Sequence, residues 1–248
     1  FEEPNISDQT INTVIDLPEK LASEKKRYII IMDEFQEIQK LNGENFENLL
    51  RSKIQHQQYV HYLFLGSRTH LINDMFTNKN KPFYNSALTM TIGQLPRKET
   101  IGFLKERFSQ NNILLNEETA QQIIDKARGI PYYIQLLASE VWQYAVNTFK
   151  EIDNEIIDDC TNRILELKYD FYIELFDRQT AYQKKLLKAL SESGKNIFSV
   201  EYANKNRLSA TSTTQKAVKG LLDQGIIEKH GHEYLFSDPF FQRFVFHL

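Results

Sequence analysis

Residues 28–32 form an uninterrupted apolar run, and the adjacent carboxylates Asp33 and Glu34 follow it directly. The run contains three β-branched isoleucines and no alternation of polar and apolar residues, which favours a strand covered on both faces in a parallel α/β sheet. Ligands in open α/β sheets bind beyond the carboxyl ends of the strands. The run therefore predicts a site at the two acids, where one would hold Mg²⁺ and the other would orient or deprotonate a water in phosphate chemistry. The alternative is that both acids only cap the helix that follows, because acids favour a helix N-terminus.

A second apolar run, residues 59–65, ends in the polar tip Gly66-Ser67-Arg68. If this run is the neighbouring strand, the polar groups at its tip reach the same pocket as the two acids. Arg68 suits a phosphate ligand because its guanidinium group is permanently charged and can donate two parallel hydrogen bonds. The alternative is that Ser67 caps a helix and that Arg68 is a surface charge.

The size and composition of the chain suit an ordinary globular protein with two domains. It has 248 residues, of which 41% are apolar and 25% are charged, and its net charge is −3. That charge creates no general attraction to nucleic acid or to an anionic membrane. Cys160 is the only cysteine, so an internal disulfide and a thiolate metal cluster are excluded. No apolar stretch has the length of a membrane span, and we expect a cytoplasmic protein. Because the chain begins at Phe1 rather than at a methionine, we expect it to be a fragment.

The N-terminal part of the chain combines short helices with the two apolar strands. Residues 5–16 alternate at Ile11, Thr13 and Ile15, which predicts strand-like or turn-like structure, and Pro18 predicts the start of a short helix near residues 17–22. Further along, Asn42-Gly43 predicts a break between two helices. The remaining predictions for this part are helices over 35–41 and 46–57 and a third strand over 89–92.

From Leu95-Pro96 onward the pattern becomes helical. Asn116 is a natural N-cap, Gly129 stands where a helix C′ residue would, and Pro131 can start the next helix. The helices predicted in this part cover 97–110, 117–127, 131–149 and 153–177.

The C-terminal part, residues 179–248, has the layout of a winged helix-turn-helix. Helices are predicted over 179–192, 199–206 and 212–224. Two strands then flank His230-Gly231-His232 and predict a β-hairpin. Helices followed by such a hairpin are typical of a winged helix domain.

Four of these features together resemble a known family. Asp33-Glu34 after its apolar strand resembles the Walker B element of P-loop ATPases, and Ser67-Arg68 resembles the sensor 1 position. Gly129-Ile130-Pro131 resembles the Gly-x-Pro motif of STAND-type and archaeal ATPases, and residues 235–244 resemble the end of the winged helix in that archaeal group. The chain is similar, over nearly its whole length, to the archaeal-type (STAND/AAA+-like) P-loop ATPase family.

The resemblance implies an α/β fold with a partial P-loop NTPase (AAA+-like) parallel sheet core, a helical lid and a C-terminal winged helix. Its function would be ATP binding and hydrolysis, used as a conformational switch that repositions the lid and the winged helix for an unknown protein partner. The expected parts are the ATPase core remnant at 1–95, the lid at 96–152, a helical connector at 153–178 and the winged helix at 179–248.

The same resemblance implies a role for each candidate site residue. Asp33 would hold Mg²⁺ through a water, and Glu34 would polarise the attacking water. Ser67 or Arg68 would sense the γ-phosphate. The resemblance places a further pair beside the adenine base, namely Gly129 and Pro131.

One element of such an ATPase is missing from the sequence. No G-x-x-x-x-G-K-[ST] motif occurs, and the Gly-Lys pair in Ser193-Gly194-Lys195 lies between helices of the C-terminal part. The backbone amides and the lysine of that motif form the main phosphate cradle. We therefore expect the P-loop to precede Phe1, residues 1–248 alone to bind ATP poorly or not at all, and the full-length protein to bind ATP and Mg²⁺. We expect ATPase activity of the full-length protein and none of this fragment alone.

The predicted winged helix has two alternative roles. Residues 179–248 carry ten Lys and Arg against six acids, a net charge of +4, which leaves −7 for the rest of a chain whose total is −3. A basic winged helix can place its second helix in the major groove of DNA, with Thr213, Lys216 and Lys219 available for contacts. Because +4 is modest, we favour an intramolecular regulatory role. The rival is a DNA-binding regulator with a vestigial ATPase scaffold, and the many aromatic residues also suit a pure protein-interaction module.

Overall fold

The computed structural model describes residues 8–41, 44–148, 152–209 and 211–248, and the chain divides into two compact units, Phe1–Thr91 and Ile92–Leu248. The predicted break at Asn42-Gly43 lies outside the described residues. Among the helices of the described part, none combines the length and the apolar character needed to cross a membrane. The finer predicted division into four parts stays a prediction.

The first unit is built on a small parallel sheet. Both strands predicted from the apolar runs are confirmed: they pair in parallel, with Tyr28 opposite Val60 and Met32 opposite Phe64. The connection between them crosses over through helices, as a parallel pair requires. The elements in chain order are α1 (Asp8–Leu21), β1 (Tyr28–Met32), a 3₁₀ helix (Phe35–Lys40), α2 (Glu44–Ile54), β2 (Val60–Phe64) and α3 (Thr69–Thr77).

The prediction that the first strand is covered on both faces is wrong. Ile29 and Ile31 are 69% and 59% exposed, whereas the other three residues of the strand are partly buried. Side chains of a strand alternate between the two faces, and the apolar cluster of this unit packs against one face, where Met32 and Phe64 join it. Its buried members are Phe35, Leu50, Met75, Phe76 and Phe83.

The prediction of strand-like or turn-like structure over 5–16 is also wrong, because a single helix covers Asp8–Leu21. Ile11 and Ile15 alternate in sequence, but they are also four residues apart and so share one face of a helix. Both are partly buried, whereas Val14 is 62% exposed. The short helix predicted near 17–22 is the last part of α1, which contains Pro18.

The third strand predicted over residues 89–92 is not formed. Met90 and Ile92 are 79% and 84% exposed, and this segment has no strand partner within the described part of the chain. A β-strand needs a hydrogen-bonded neighbour, so a favourable composition alone does not make this segment a strand.

The second unit contains the predicted helices and the predicted hairpin. Its buried residues form one cluster that runs from Leu104 to Val245. The helix predicted over 153–177 is two helices that meet at Lys168, and the segment after the hairpin is an additional helix. The elements are α4 (Arg97–Ser109), α5 (Glu117–Lys126), α6 (Pro131–Thr148), α7 (Asn154–Leu167), α8 (Tyr169–Asp177), α9 (Ala181–Glu192), α10 (Val200–Lys205), α11 (Thr211–Asp223), β3 (Ile227–His230), β4 (Glu233–Phe236) and α12 (Pro239–Phe246).

The winged helix prediction is confirmed by α9, α10, α11 and the antiparallel pair of β3 and β4. The loop after α9 joins this hairpin, since Lys195 forms a bridge with Glu233 and the N–H of Tyr234 donates to the Gly194 carbonyl at 3.0 Å. A Cβ atom at Gly194 would lie 1.7 Å from the Tyr234 carbonyl oxygen. The Gly-Lys pair therefore serves strand packing.

Candidate functional site

The carboxyl ends of β1 and β2 bring Glu34 and Ser67 together. The Ser67 hydroxyl lies 2.9 Å from Glu34 Oε2 and 3.1 Å from Oε1, and it donates to this carboxylate. The Ser67 backbone N–H donates to Oε2 over 3.4 Å. Glu34 adopts a left-handed backbone conformation with φ 48° and ψ 44°, which turns its side chain out of the strand direction. The predicted convergence of the two strand ends is present for this pair.

Gln36 is a further hydrogen-bond donor to Glu34, and the sequence patterns did not predict this residue. Its side-chain amide donates to Glu34 Oε2, and the residue is 3% exposed. A Cβ atom at Gly66 would lie 2.3 Å from Gln36 Oε1 and 2.5 Å from a side-chain carbon of Ile72. Gly66 therefore leaves the space that Gln36 occupies. No local pattern in the sequence pointed to this contact, because Gln36 stands beside the charged Glu37 like an ordinary polar residue.

The hydrogen bonds from Gln36 and then from Ser67 lower the pKa of Glu34 below its usual value. Arg68 contributes a smaller electrostatic effect in the same direction, and partial desolvation acts against it. The Glu34 side chain is exposed, so the carboxylate is both ionised at neutral pH and accessible to water. A carboxylate in this state can orient a water molecule, although its lowered pKa makes it a weaker proton acceptor than an ordinary glutamate.

Asp33 stands beside this network with an exposed side chain. Its Oδ1 accepts the backbone N–H of Glu34 at 2.9 Å. The 3₁₀ helix that follows receives no side-chain cap from Glu34, whose carboxylate turns to Ser67. The geometry at Glu34 therefore disfavours the alternative of two simple capping residues.

The side chains present fit Mg²⁺ only if a phosphate ligand supplies part of its coordination. Within the described part of the chain, no group of three or more His, Cys, Asp or Glu side chains could hold a metal ion. Mg²⁺ usually keeps several waters and takes one or two carboxylates together with substrate phosphates. Asp33 could supply such a carboxylate, so the residues present fit a cation that arrives with a phosphate ligand.

Arg68 occupies a different position from its neighbour Ser67. Its Nη1 lies 4.0 Å from Glu37 Oε1, and its side chain is 33% exposed. Arg68 is the N-cap residue of α3, where no side-chain cap bond forms, and the Ser67 hydroxyl is engaged with Glu34. The alternative in which Ser67 caps the helix is therefore not what the structure contains. The γ-phosphate role of either residue stays a prediction.

Gly129 and Pro131 lie in the second unit, in the turn between α5 and α6. Arg128 and Gly129 have φ 51° and φ 70°, and the Gly129 N–H donates to the Ile124 carbonyl at 2.9 Å. This is a Schellman arrangement in which Arg128 takes the C′ position, one residue before the one predicted. Pro131 starts α6 as predicted. The proposed place of Gly129 and Pro131 beside a base stays a prediction.

Within the second unit, the turn between α5 and α6 is hydrogen-bonded to the winged helix. The Arg128 guanidinium donates to the Phe236 carbonyl at 2.9 Å, and burial lowers the pKa of this arginine. The Gln94 side chain donates to the Arg128 carbonyl at 3.0 Å. The turn is thus bonded directly to the last residue of strand β4.

A partly buried polar cluster around Asp238 was not foreseen from the sequence. The Tyr172 hydroxyl donates to Asp238 Oδ2 at 2.9 Å, while Oδ1 accepts the N–H groups of Phe240 and Phe241 at 2.8 and 3.1 Å. Burial raises the pKa values of Tyr172 and Tyr133, and the nearby Asp238 raises them further. Asp238 thus ties α6, α8 and α12 together.

The candidate DNA contacts lie on the exposed face of α11. Thr213, Lys216 and Lys219 are all exposed, whereas Thr214 is buried and bonded to the Tyr182 hydroxyl at 2.7 Å. The predicted residues therefore share one accessible helix face. Their contact with DNA stays a prediction.

Comparison with known proteins identifies the fold. Residues 170–247 match a family model described as a probable winged helix domain. A Walker-type ATPase of Pyrococcus abyssi is 18% identical, with a TM-score of 0.64, and the match covers 99% of this chain and 69% of that protein. A variant of RuvB from Thermotoga maritima is 15% identical, with a TM-score of 0.51 and coverage of 99% and 77%. A search of curated proteins finds no match. The chain therefore has the α/β fold of AAA+-type P-loop ATPases and ends in a winged helix domain.

Proposed function

We propose that this chain supplies the water-activating carboxylate and the Mg²⁺ carboxylate of an ATP-hydrolysing switch protein of the archaeal-type AAA+/STAND class. The observation that carries the proposal is the Glu34 carboxylate at the ends of two parallel strands, held in one orientation by donors on Ser67 and Gln36. A simple surface acid has no need of two side-chain donors. A catalytic base needs both a fixed direction and an ionised state.

Each residue has a separate task in this mechanism. Glu34 orients the attacking water and takes up its proton. Ser67 holds Glu34 before ATP arrives, and Ser67 or Arg68 would contact the terminal phosphate. Asp33 is the residue that would hold Mg²⁺, which supplies charge neutralisation on the phosphates when bound. For Gly129 and Pro131, in the second unit, we propose the role beside the adenine base that the family resemblance implies.

The decisive experiment replaces the proposed base. In the full-length protein, Glu34→Gln keeps the size of the side chain and one acceptor oxygen but cannot accept a proton. We expect ATP binding to persist and ATP turnover to fall by about a hundredfold or more, the usual contribution of a positioned base. Glu24→Gln, at an exposed acid in the turn before β1, is the control and should change turnover little. Unchanged turnover in Glu34→Gln would remove Glu34 from this role.

The absent phosphate-binding motif leads to a second expectation. Without the backbone amides and lysine of a P-loop, residues 1–248 lack the groups that contribute most to phosphate affinity. We expect calorimetric titration of residues 1–248 with Mg-ATP to give no binding in the micromolar range. A micromolar dissociation constant would show that the phosphates are gripped elsewhere in the chain.

The second candidate function is a DNA-binding regulator, which the exposed face of α11 favours. We would expect the whole chain to shift duplex DNA in a salt-dependent way. The double variant Lys216→Ala and Lys219→Ala should weaken that binding and reduce the salt slope by about two. Lys98→Ala and Lys105→Ala on α4 form a matched control of equal charge. Duplex binding with Glu34→Gln turnover unchanged would favour the regulator over the ATPase.

A further inference from the structure

A cavity of about 390 Å³ lies in the second unit, where three helices end. Helix α5 ends at Lys126, α9 ends one residue after the lining residue Ser191, and α12 ends at Phe246. The volume falls within the range of about 300–1,000 Å³ that is typical of small-molecule sites. The cavity is therefore large enough for a small ligand, and none of its lining residues has a role in the function proposed above.

Four charged side chains line this cavity, and two of them form ion pairs. Lys126 pairs with Asp158, and Asp125 pairs with Arg97. Each of these pairs is neutral. The other two charged side chains of the lining are both arginines, which leaves the cavity with a net charge of +2.

The first of these arginines, Arg128, has no carboxylate partner in the part of the chain that the structure describes. Its bond to the Phe236 carbonyl, 2.9 Å long, uses one of the several N–H donors of a guanidinium group. Burial has the largest effect on its pKa and lowers it, whereas Glu233 and Asp238 raise it from a longer distance. A partly buried cation of this kind is stabilised by a bound anion.

The backbone at Arg128 favours glycine. Its φ of 51° lies in the left-handed region, at the C′ position of α5, where glycine is the usual residue because it lacks a Cβ atom. An arginine at this position has a steric cost that glycine avoids. Its side chain therefore needs contacts that offset this cost, and most of its donors are available to a ligand.

Arg243 is the second arginine of the cavity. It lies in the last turn of α12 and is partly buried, and its side chain forms neither a hydrogen bond nor an ion pair with any described residue. A cation there also offsets the helix dipole, which is the alternative explanation. The Ser191 carbonyl at the end of α9 already accepts the Gln242 side chain at 2.9 Å. The donors of Arg243 are thus available to a ligand as well.

We propose that this cavity binds the phosphate group of a small ligand, which Arg128 and Arg243 hold together. A phosphate monoester carries a charge of about −1.5 to −2 at neutral pH, which matches the charge of the cavity, whereas one carboxylate would neutralise only half of it. Arginine suits phosphate because its planar group donates two parallel hydrogen bonds. Pro239 and Phe246 line the same cavity and offer apolar contact to the organic part of a monoester.

The test titrates residues 1–248 by calorimetry with phenyl phosphate, inorganic phosphate and acetate, each alone. We expect both phosphates to bind with a dissociation constant of about 1 mM or lower, and acetate to bind more weakly by about tenfold or more. Tighter binding of phenyl phosphate would assign the site to a monoester, and equal affinity would assign it to free phosphate. Absence of phosphate binding, or acetate binding of equal strength, would overturn the proposal in favour of arginines that only offset the helix ends.

Two variants remove the arginines one at a time. Arg243→Gln deletes one cation, and Arg128→Gly deletes the other while it suits the left-handed backbone. We expect each variant to stay folded by circular dichroism and to bind phenyl phosphate more weakly by about tenfold or more. Arg178→Gln is the matched control, because this exposed arginine of α8 pairs with Glu174, and it should leave the affinity unchanged. Unchanged affinity in both cavity variants would overturn the assignment.

Amide chemical shifts in residues 1–248 locate the bound phosphate. We expect phenyl phosphate to shift the amide signals of residues 126–128 and 242–246, which surround the cavity. The same shifts should be absent from Arg243→Gln at equal ligand concentration. Shifts confined to residues 66–68 would overturn the proposal, because they would place the phosphate at the strand ends of the first unit.

Discussion

At the scale of single residues, the candidate site depends on donors that hold one carboxylate. Ser67 and Gln36 stabilise the ionised form of Glu34, so these hydrogen bonds are present at neutral pH and are lost as the pH falls through the lowered pKa of Glu34. Gln36 in turn needs the space that Gly66 leaves beside Ile72. The pKa of Glu34 therefore depends mainly on the uncharged residues Gln36 and Ser67.

Removal of the Ser67 hydroxyl tests this dependence. Ser67→Ala deletes a donor to the ionised form of Glu34, so the pKa of Glu34 should rise toward its ordinary value. A pH titration of the carboxyl carbon of Glu34 by NMR measures the shift. The control is Ser52→Ala, because the Ser52 hydroxyl donates only locally to the Leu49 carbonyl at 2.8 Å. An identical titration curve in Ser67→Ala would contradict the geometry described at the strand ends.

A methyl group at Gly66 tests the space beneath the site. Gly66→Ala forces Gln36 and Ile72 to move, which should cost about 1–3 kcal/mol of the free energy of unfolding and also raise the pKa of Glu34. Gly102→Ala in α4 is the control, since a Cβ atom there meets nothing within 4 Å. That control should be neutral or stabilising by up to about 1 kcal/mol, because alanine favours a helix. Denaturant unfolding measures both variants, and equal stability of both would refute the close contact at Gly66.

At the scale of secondary structure elements, α12 is positioned by its cap and by a partner on α8. Asp238 caps the first turn of α12 and accepts the Tyr172 hydroxyl, a side chain with no exposed surface. Strand β4 ends at Phe236, two residues before Asp238. One aspartate thus orients the last helix against both the hairpin and the helices before it.

Two variants divide the contributions of Asp238. Tyr172→Phe removes the buried hydroxyl together with its hydrogen bond, and it should cost about 1 kcal/mol of unfolding free energy. Asp238→Ala removes the cap and also leaves that hydroxyl buried without its acceptor, so it should cost about 2–4 kcal/mol. Denaturant unfolding followed by circular dichroism measures both. Equal effects of the two variants would show that the cap of α12 contributes nothing.

At the scale of the whole molecule, the second unit has a single apolar cluster that includes the helices after Ile92 and the winged helix alike. Trp142, the only tryptophan, packs against that cluster from α6. The Arg128 bond to Phe236 adds a polar link between the same two parts. We therefore expect a conformational change in the proposed lid to alter the packing of the winged helix.

This shared cluster predicts cooperative unfolding of the second unit. Asp238→Ala near the C-terminus should lower the denaturant midpoint measured by Trp142 fluorescence, although the two residues lie in different predicted parts. The control, Leu114→Ala, changes a side chain that is 73% exposed in the same unit and should leave the midpoint in place. An unchanged Trp142 midpoint in Asp238→Ala would mean that the lid and the winged helix unfold independently.

The sequence by itself determined the features that depend on local patterns. The two apolar runs predicted their strands, Asn116 and Pro131 predicted helix ends, and the order of the last helices and the hairpin predicted the winged helix. Strand polarity then predicted that the groups after the two runs would meet, as Glu34 and Ser67 do. These inferences succeed because hydrophobic periodicity and capping act over a few residues.

Only the tertiary structure decided the features that depend on contacts between residues far apart in the sequence. The covered face of β1, the choice of helix for α1 and the absence of a strand over 89–92 all depend on which neighbours are present to pack or pair. Gln36 donates a hydrogen bond to Glu34, and Tyr172 donates one to Asp238. The types of these residues carried no local signal that they would meet. Burial and hydrogen bonding are properties of the assembled surroundings, and a sequence pattern does not contain them.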